Sequence, residues 1–114
     1  MGATNGERIV IVVLGRVRTD AARRQELMRR GQALAQASRD EDGCIGYRLY
    51  EDSEAENEFV FVEEWENDEA LQRHFATPHI AEFMASVPAV LTAPPDVHFH
   101  TIESSRDLSN VSRR

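Results

Sequence analysis

The sequence predicts an α+β fold, a ferredoxin-like antiparallel sheet with helices on one face. Three observations lead to this fold: four segments with strand character, one long helical pattern, and a pair of short helical patterns. Their order along the 114 residues is β, α, β, β, helical pair, β, which suits one sheet covered by helices on one side. A chain of this length buries one core. We therefore expect one domain over residues 8–104, with flexible segments at 1–7 and 105–114.

The first strand and the first helix have different hydrophobic patterns. From Ile9 to Leu14 every residue is apolar and most are β-branched, which is typical of a strand buried on both faces. Thr19 and Asp20 are suitable N-cap residues for a long amphipathic helix that extends to about Ser38. The first two predicted elements are therefore a β-strand and an α-helix.

Two alternating segments follow the first helix. The segments CIGYRLYED and FVFVEEWE alternate between two faces, and the acidic segment SEAENE separates them. This pattern predicts two strands in a hairpin with a longer loop. Alternation puts these residues on one face of each strand: Ile45, Tyr47 and Leu49 in the first, and Phe59, Phe61, Glu63 and Trp65 in the second.

Two short helices and a closing strand complete the pattern. Asn67 can cap the first helix, and Thr77 with Pro78 suits the start of the second. Prolines in TAPPD end that helix, and VHFHTIE predicts the last strand. The predicted inward residues are Ala70, Leu71, His74 and Phe75 in the first helix, and Ile80, Phe83, Met84 and Val87 in the second. In the last strand, His98, His100 and Ile102 share a face.

The face of the sheet that the helices leave uncovered is also apolar. The first strand is apolar on both sides, and the third strand has aromatic residues on one side and valines on the other. A second copy of the chain can cover this face. We therefore expect a homodimer in which two sheets pack face to face, an arrangement that can close into a barrel.

Charge and cysteine content exclude several classes of function. The net charge of −7 argues against a nucleic-acid partner, because phosphate binding favours a clustered basic face. Cys44 is the single cysteine, so neither a disulfide within one chain nor a cysteine-based zinc site is expected. The segment MGATNGER lacks the features of a secretory signal, and IVIVVLG is too short to span a bilayer. We expect a cytoplasmic protein without a membrane partner.

Three stretches of the chain resemble a known family. They are SRDEDGCIGYRLYED, FVFVEEWEN and ALQRHFATPHIAEF, and the likeness runs from about Ile9 to Ile102. They are similar to the antibiotic biosynthesis monooxygenase domain of the dimeric α/β barrel superfamily. Members of that family oxygenate quinols, anthrones or related aromatic polyketides with O2 and without flavin, haem or metal. The resemblance implies a cofactor-independent monooxygenase with a small aromatic substrate and an apolar cavity between sheet and helices.

Two other activities of the family compare differently with this chain. Haem-degrading relatives use an asparagine on the first strand, a tryptophan on the short helix and a histidine on the helix after it. The first strand of this chain contains no asparagine. The tryptophan position corresponds to His74, and the histidine position falls near Met84. Isomerases of phosphorylated ketone sugars resemble the chain at His74 and His79. A phosphorylated substrate requires a convergent basic site, and Arg48 and Arg73 are the only basic residues near that region. The isomerase stays a minority alternative.

Oxygenation without a cofactor requires a proton acceptor, an oxyanion donor and an apolar enclosure. His74 is the candidate base, because imidazole has a pKa of about 6.5; a buried histidine bound to a backbone carbonyl is the alternative. Arg48 or a tyrosine is the candidate donor. Glu63 is a candidate second base, or it forms an ion pair with Arg48 across the hairpin.

The candidate substrate-binding residues are Trp65, Phe61, Tyr47, Phe75 and His79. Each also has a structural alternative, as a core residue or, for His79, as part of a helix turn. The histidines at 98 and 100 could bind a metal with His74, but no carboxylate or cysteine lies at a recognisable ligand spacing, so we expect no metal site. A non-catalytic binding module with the same pocket is the second hypothesis.

Overall fold

The computed structural model describes residues 10–111 of the chain. Predictions for Ile9, for segment 1–7 and for residues 112–114 lie outside the described residues. The elements are β1 (Val10–Arg18), α1 (Arg24–Arg39), β2 (Cys44–Asp52), β3 (Ala55–Trp65), α2 (Asp68–Phe75), α3 (Pro78–Ser86), a 3-10 turn (Val87–Val90), β4 (Asp96–Ile102) and α4 (Leu108–Val111).

The four strands form one antiparallel sheet in the order β2-β3-β1-β4, and α1, α2 and α3 pack on one face of it. This arrangement confirms the predicted α+β, ferredoxin-like fold. The core lies between the helices and the near face of β1, β2 and β3, where Val13, Tyr47, Phe61 and Trp65 are buried. None of the helices within residues 10–111 is long and apolar enough to cross a membrane.

In a single chain, strand β1 is fully buried only on its helix side. Its helix side is buried, as Ile11, Val13 and Val17 show, whereas Val12 and Leu14 on the other side are only half-buried. The reason is that all three packing helices lie on one side of the sheet. An apolar surface is therefore left on the helix-free face of a single chain.

Helix α1 begins later than its predicted cap. Thr19 is buried instead, where its hydroxyl donates to the backbone carbonyl of Val90 at 2.6 Å. The Asp20 side chain accepts the backbone N–H of Arg23 at 3.0 Å, which closes a turn before the helix starts at Arg24. The helix ends at Arg39, one residue beyond the predicted end.

The hairpin between β2 and β3 is tighter than predicted. Strand β3 starts at Ala55, which pairs with Asp52, so only Ser53 and Glu54 remain in the turn. The Asp52 side chain accepts the backbone N–H of Glu54 at 2.8 Å, and this Asx turn stabilises the reversal. Most of the acidic segment SEAENE therefore extends the strand rather than forming a long loop.

A β-bulge at Ile45 changes the predicted faces at the start of β2. Cys44 pairs with Trp65 and Gly46 pairs with Glu64, so Ile45 is the extra residue. Because a bulge shifts the alternation by one residue, Cys44 joins Tyr47 on the helix side and packs against the core. Ile45 is 47% exposed, so its predicted inward position is wrong.

The caps of α2 and α3 are those predicted. The Asn67 side chain accepts the backbone N–H of Ala70 at 2.9 Å, and Thr77 precedes Pro78 as the cap of α3. The inward faces are narrower than predicted, because Phe75 and Met84 are exposed. Both lie towards β4, the edge strand next to β1, whose helix side carries the exposed residues Val97 and Phe99.

Candidate functional site

A cavity of about 350 Å³ lies between the helix side of the sheet and the α2–α3 pair. Its volume is within the range of small-molecule sites, roughly 300–1,000 Å³. Three of its lining residues, Tyr47, Glu63 and His74, carry polar groups. The others are Val13, Gly15, Val17, Leu34, Phe61, Phe75, Ile80, Phe83, Met84, Val87, Pro88, Pro95, Val97 and Phe99. The lining contributed by the described residues is therefore apolar and contains neither arginine nor lysine.

The Glu41 carboxylate joins the two histidines of the helix pair. Its Oε2 lies 2.8 Å from Nδ1 of His74 and 2.6 Å from Nε2 of His79. Glu41 comes from the turn between α1 and β2, His74 from the last turn of α2 and His79 from the first turn of α3. Three separate elements therefore position this Glu41–His74–His79 cluster.

The cluster is shielded from solvent to different degrees. The exposed fraction of the side chain is 1% for His74, 12% for Glu41 and 27% for His79. An ionised carboxylate only accepts hydrogen bonds, so Nδ1 of His74 and Nε2 of His79 each carry a proton and donate it to Glu41. The second nitrogen of His74, Nε2, then has a free lone pair. No hydrogen-bond partner for this Nε2 occurs among residues 10–111.

Aromatic rings hold His74 in place. The ring centroid of Trp65 lies 4.7 Å from that of His74, and the centroid of Tyr47 lies 5.5 Å away. Trp65 is fully buried and does not line the cavity. Trp65 therefore packs against His74 in the core. The predicted role of Trp65 as a cavity wall does not match this position.

Glu63 is a buried carboxyl group on the cavity wall. Its Oε1 accepts the indole N–H of Trp65 at 3.0 Å, and its register partner across the hairpin is Tyr47. Burial raises the pKa of Glu63 above its ordinary value, although the hydrogen bond from Trp65 opposes this effect. Burial also raises the pKa of the Tyr47 hydroxyl, and the neighbouring charge of Glu63 adds to the increase. The Tyr47 hydroxyl is therefore a proton donor at neutral pH.

The structure brings some predicted site residues together and separates others. Tyr47, Phe61 and Phe75 line the cavity beside His74 and Glu63. His79 does not line it; this residue lies beyond Glu41, in a groove between α1 and α3.

Arg48 is outside the cavity. It pairs with Val62 in the sheet, whereas Glu63 pairs with Tyr47, so Arg48 and Glu63 point to opposite faces. Arg48 is exposed on the helix-free face. The predicted ion pair between Arg48 and Glu63 is therefore wrong, and Arg48 cannot reach a substrate in this cavity.

His98 and His100 also lie on the helix-free face. Their ring centroids are 6.4 Å apart, and His98 contacts the Asp96 carboxylate at 2.8 Å. They pair with Leu14 and Val12 of β1, on the side of the sheet away from His74. The structure therefore does not bring His98 and His100 together with His74, the combination considered as a metal site from the sequence.

Glu41 is the site residue that the sequence did not reveal. It belongs to the acidic turn RDEDG, which the sequence marks only as a helix end. The separations from His74 and His79 are 33 and 38 residues, so no local spacing connects these residues. Only the packing of the α1–β2 turn against the helix pair brings them together.

Comparison with known proteins shows a family match over most of the fold. The family described as "Antibiotic biosynthesis monooxygenase" matches residues 10–86. An uncharacterised Synechocystis protein, sll1783, is 36% identical over 98 residues, which are 86% of this chain and 67% of that protein. YcnE of Bacillus subtilis, which is provisionally named a monooxygenase, is 35% identical over 88 residues, covering 77% of this chain and 93% of YcnE.

Solved structures show the same fold. The structure of Rv0793 from Mycobacterium tuberculosis superposes with a TM-score of 0.80 at 28% identity, covering 86% of this chain and 99% of that one. An antibiotic biosynthesis monooxygenase of provisional assignment from Deinococcus radiodurans gives a TM-score of 0.74 at 25% identity, covering 86% and 95% of the two chains. These similarities extend over nearly all of the described residues.

Proposed function

The chain belongs to the antibiotic biosynthesis monooxygenase family, and from this premise we propose that it oxygenates a quinol, anthrone or related aromatic small molecule with O2. The observation that carries the proposal is the position of His74. Glu41 fixes the proton on Nδ1 of this histidine, so Nε2 is left as an acceptor, and His74 is one of the residues that line the apolar cavity. The sequence proposed His74 as the base, and the geometry supplies the partner that orients it.

The first step is removal of a phenolic or benzylic proton by Nε2 of His74. The Glu41 carboxylate at 2.8 Å stabilises the imidazolium that forms, as a buried carboxylate does for a catalytic histidine. Nearly complete burial of His74 strengthens this charge interaction, because little water screens it. Glu41 is thus a positioning residue, and His74 is the catalytic base.

The deprotonated aromatic substrate is the electron source for O2. One oxygen atom becomes bonded to the substrate carbon, and the O–O bond then breaks so that the second oxygen leaves as water. For an anthrone-like methylene, CH2 and O2 give C=O and H2O, and for a quinol an aryl C–H becomes C–OH while the ring becomes a quinone. The substrate supplies all four electrons in either case. The reaction therefore needs no external reductant, and we propose that it proceeds without flavin, haem or metal.

Glu63 and Tyr47 are suited to stabilise the negative charge that develops. The raised pKa of Glu63 favours its protonated form, which can donate a hydrogen bond to an oxyanion. Tyr47 faces Glu63 across the hairpin and retains its own proton. These groups replace Arg48 as the donors. Phe61 and Phe75, which line the cavity, are the ring-binding walls.

A phosphorylated substrate does not suit this cavity. Its lining by described residues includes no arginine or lysine, so no cationic side chain of these types is available to bind a phosphate group. Arg73 is exposed on α2, outside the cavity. Apart from the likeness at His74 and His79, no feature of the described site favours the isomerase alternative.

A homodimer is the assembly that the helix-free face supports. Val12, Leu14, Val60 and Val62 form a half-buried apolar surface there, and Tyr50 beside them is 53% exposed. Such a surface on one side of a sheet is typical of a protein interface. We propose that two chains cover it by packing sheet against sheet.

The test is oxygen consumption over a panel of hydroquinones, naphthoquinols and anthrones, with each rate corrected for autoxidation. We expect a saturable rate above blank with the wild-type protein. His74→Ala should lower kcat by about 10²- to 10⁴-fold, the range of general-base catalysis. Glu41→Gln should lower it less, because the histidine stays but loses its charged partner.

His100→Ala is the matched control, since it removes an imidazole on the opposite face of the sheet. It should retain the wild-type rate. An unchanged rate in His74→Ala would rule out the mechanism. Failure of every substrate, together with an aromatic compound that co-purifies with the protein, would favour a non-catalytic binding module of the same fold.

A further inference from the structure

The Glu41–His74–His79 cluster has a second chemical capability besides orienting His74. Each residue offers one ligand atom, and the three ligand atoms all lie within 4.8 Å of one another. We propose that this cluster binds a divalent transition-metal ion, and that binding exchanges the proton positions on His74. The consequence for catalysis, the loss of His74 as a base, rests on the function proposed above. The metal site and the proton exchange do not depend on that function.

The ligand types indicate which ions fit. Two imidazole nitrogens and one carboxylate oxygen suit Zn²⁺, Co²⁺ or Ni²⁺, whereas Mg²⁺ and Ca²⁺ prefer oxygen ligands alone. The two nitrogens are 2.8 and 2.6 Å from Oε2 of Glu41. Ligands at about 2.0–2.2 Å from a tetrahedral Zn²⁺ are about 3.4 Å apart. Each histidine nitrogen therefore has to move roughly 0.6–0.8 Å away from Oε2 of Glu41 to admit the ion.

The surroundings favour a cation and leave it accessible. Glu41 lies between Asp40 and Asp42 in an acidic turn, which attracts positive ions. His79 is 27% exposed and lines the groove between α1 and α3. Solvent can therefore reach one side of the site and supply the remaining ligands as water.

Metal binding has a direct consequence for His74. Without metal, Nδ1 carries the proton and donates it to Glu41. A metal on Nδ1 takes that lone pair, so the neutral ring must carry its proton on Nε2 instead. His79 makes the opposite exchange, from Nε2 to Nδ1, and no net proton is released. Nε2 of His74 then changes from acceptor to donor, and it can no longer act as a base.

Binding is tested by calorimetric titration of tag-free, chelator-treated protein with Zn²⁺. We expect one site per chain. His79→Ala and Glu41→Gln should each weaken Zn²⁺ binding by more than about 100-fold, because loss even of a residue that orients a ligand costs about 10- to 100-fold. Circular dichroism confirms that each variant is folded.

The double variant His98→Ala, His100→Ala is the matched control. It removes two imidazoles from the helix-free face and should bind Zn²⁺ as the wild type does. Binding that is lost in this control but kept in His79→Ala would overturn the proposal. Failure of the wild type to bind Zn²⁺ stoichiometrically would also overturn it.

The proton exchange is tested by ¹⁵N NMR of the imidazole rings. In metal-free protein the Nδ1 of His74 should be protonated, and in the zinc-loaded protein the Nε2 should be protonated. An unchanged His74 spectrum with Zn²⁺ bound overturns the exchange. Neither measurement requires turnover, so failure of the oxygenase assay leaves this test intact.

Where turnover is measured, Zn²⁺ should suppress the wild-type rate by more than tenfold at saturation of the site. Each variant is compared with its own metal-free rate. The same Zn²⁺ concentration should change the rate of His79→Ala by less than about twofold. Equal suppression in both proteins would show that the inhibitory ion binds elsewhere.

Discussion

Glu63 illustrates how a single buried carboxyl group can be stabilised in its neutral form. It lies between Phe61 and Trp65 on the inward side of β3, on the wall of an apolar cavity. The Glu63 carboxyl group accepts a hydrogen bond from the indole N–H of Trp65 at 3.0 Å. Desolvation outweighs this bond and raises the pKa of Glu63. The carboxyl group therefore has a free-energy cost in its ionised form.

This cost predicts a pH-dependent gain in stability for Glu63→Gln. A pKa raised by folding means that the folded state holds its proton more tightly, so wild-type stability is full below the ordinary pKa of 4.5 and falls as the pH rises through the folded value. Glutamine cannot ionise and keeps an acceptor for Trp65. The variant should match the wild type in urea denaturation at low pH and exceed it at pH 7. A gain that is largest at low pH would contradict the assignment.

The Cys44 thiol is predicted to react slowly. Burial raises its pKa from 9.0 to about 11, with Glu41 and Glu63 adding to the increase. Since the thiolate is the nucleophile, a two-unit rise lowers its fraction at neutral pH by about 100-fold. Disulfide exchange with an aromatic disulfide reagent should therefore be at least about 100-fold slower in the folded protein than in urea. Similar rates in both states would show that Cys44 is accessible and unperturbed.

At the scale of single residues, the sequence predicted those whose neighbours are local. His74, Phe61 and Tyr47 were correctly placed inward because helical and strand periodicity fixes their faces. Glu41 was not predicted, since its partners are 33 and 38 residues away. Arg48 was assigned to the site as a possible oxyanion donor and as the partner of Glu63 across the hairpin, although alternation places it on the other face.

Among the elements, the turn between α1 and β2 is the one that delivers Glu41 to the histidines. Gly43 in this turn has a φ of +84°, which only glycine adopts without strain. A Cβ on Gly43 would lie 2.5 Å from the Cβ of Ala70 in α2. The turn and α2 therefore fit closely because residue 43 has no side chain.

Gly43→Ala should destabilise the protein by more than about 1–2 kcal/mol, the cost of a left-handed backbone for an alanine, because the contact with Ala70 adds to it. Urea denaturation measures the change. Gly46→Ala is the matched control: its Cβ would meet only the Glu64 carboxylate, at 3.6 Å. We expect a smaller loss there, and equal losses in the two variants would contradict the role of the turn.

Element boundaries show where sequence patterns were insufficient. Apolar periodicity predicted all four strands and the three packing helices. It did not reveal the two-residue turn at Ser53 and Glu54, because a polar acidic segment has no hydrophobic periodicity. The Asp52 side chain closes this turn by accepting the backbone N–H of Glu54. Nor did periodicity reveal the bulge at Ile45, which depends on the pairing with β3. These features are decided by partners across the sheet rather than by the segment itself.

For the whole molecule, the two faces of the sheet have different surroundings. Helices α1, α2 and α3 pack on the inward face and form one side of the cavity. The opposite face has a central band of apolar residues, with Arg48, Glu64 and His98 around it. A second chain on that face would bury the apolar band without entering the cavity. Assembly and catalysis can therefore be tested separately.

Val62→Glu should weaken the proposed dimer by more than about 100-fold, which corresponds to about 2.7 kcal/mol. Val62 lies in the apolar band opposite Leu14 and Arg48. A symmetric interface would bury two introduced carboxylates, and an unpaired buried charge is strongly unfavourable. Light scattering across a dilution series should show a dimer for the wild type and a monomer for Val62→Glu at micromolar concentration.

Ala33→Glu is the matched control for this measurement, because it adds the same charge at an exposed position of α1. It should remain dimeric. A monomeric wild type, or a dimer that tolerates Val62→Glu, would contradict sheet-to-sheet packing and leave the apolar band to another partner. Because Val62 does not line the cavity, a Val62→Glu monomer that stays folded should retain its cavity. Any oxygenase activity that this monomer loses would then be attributable to the missing subunit.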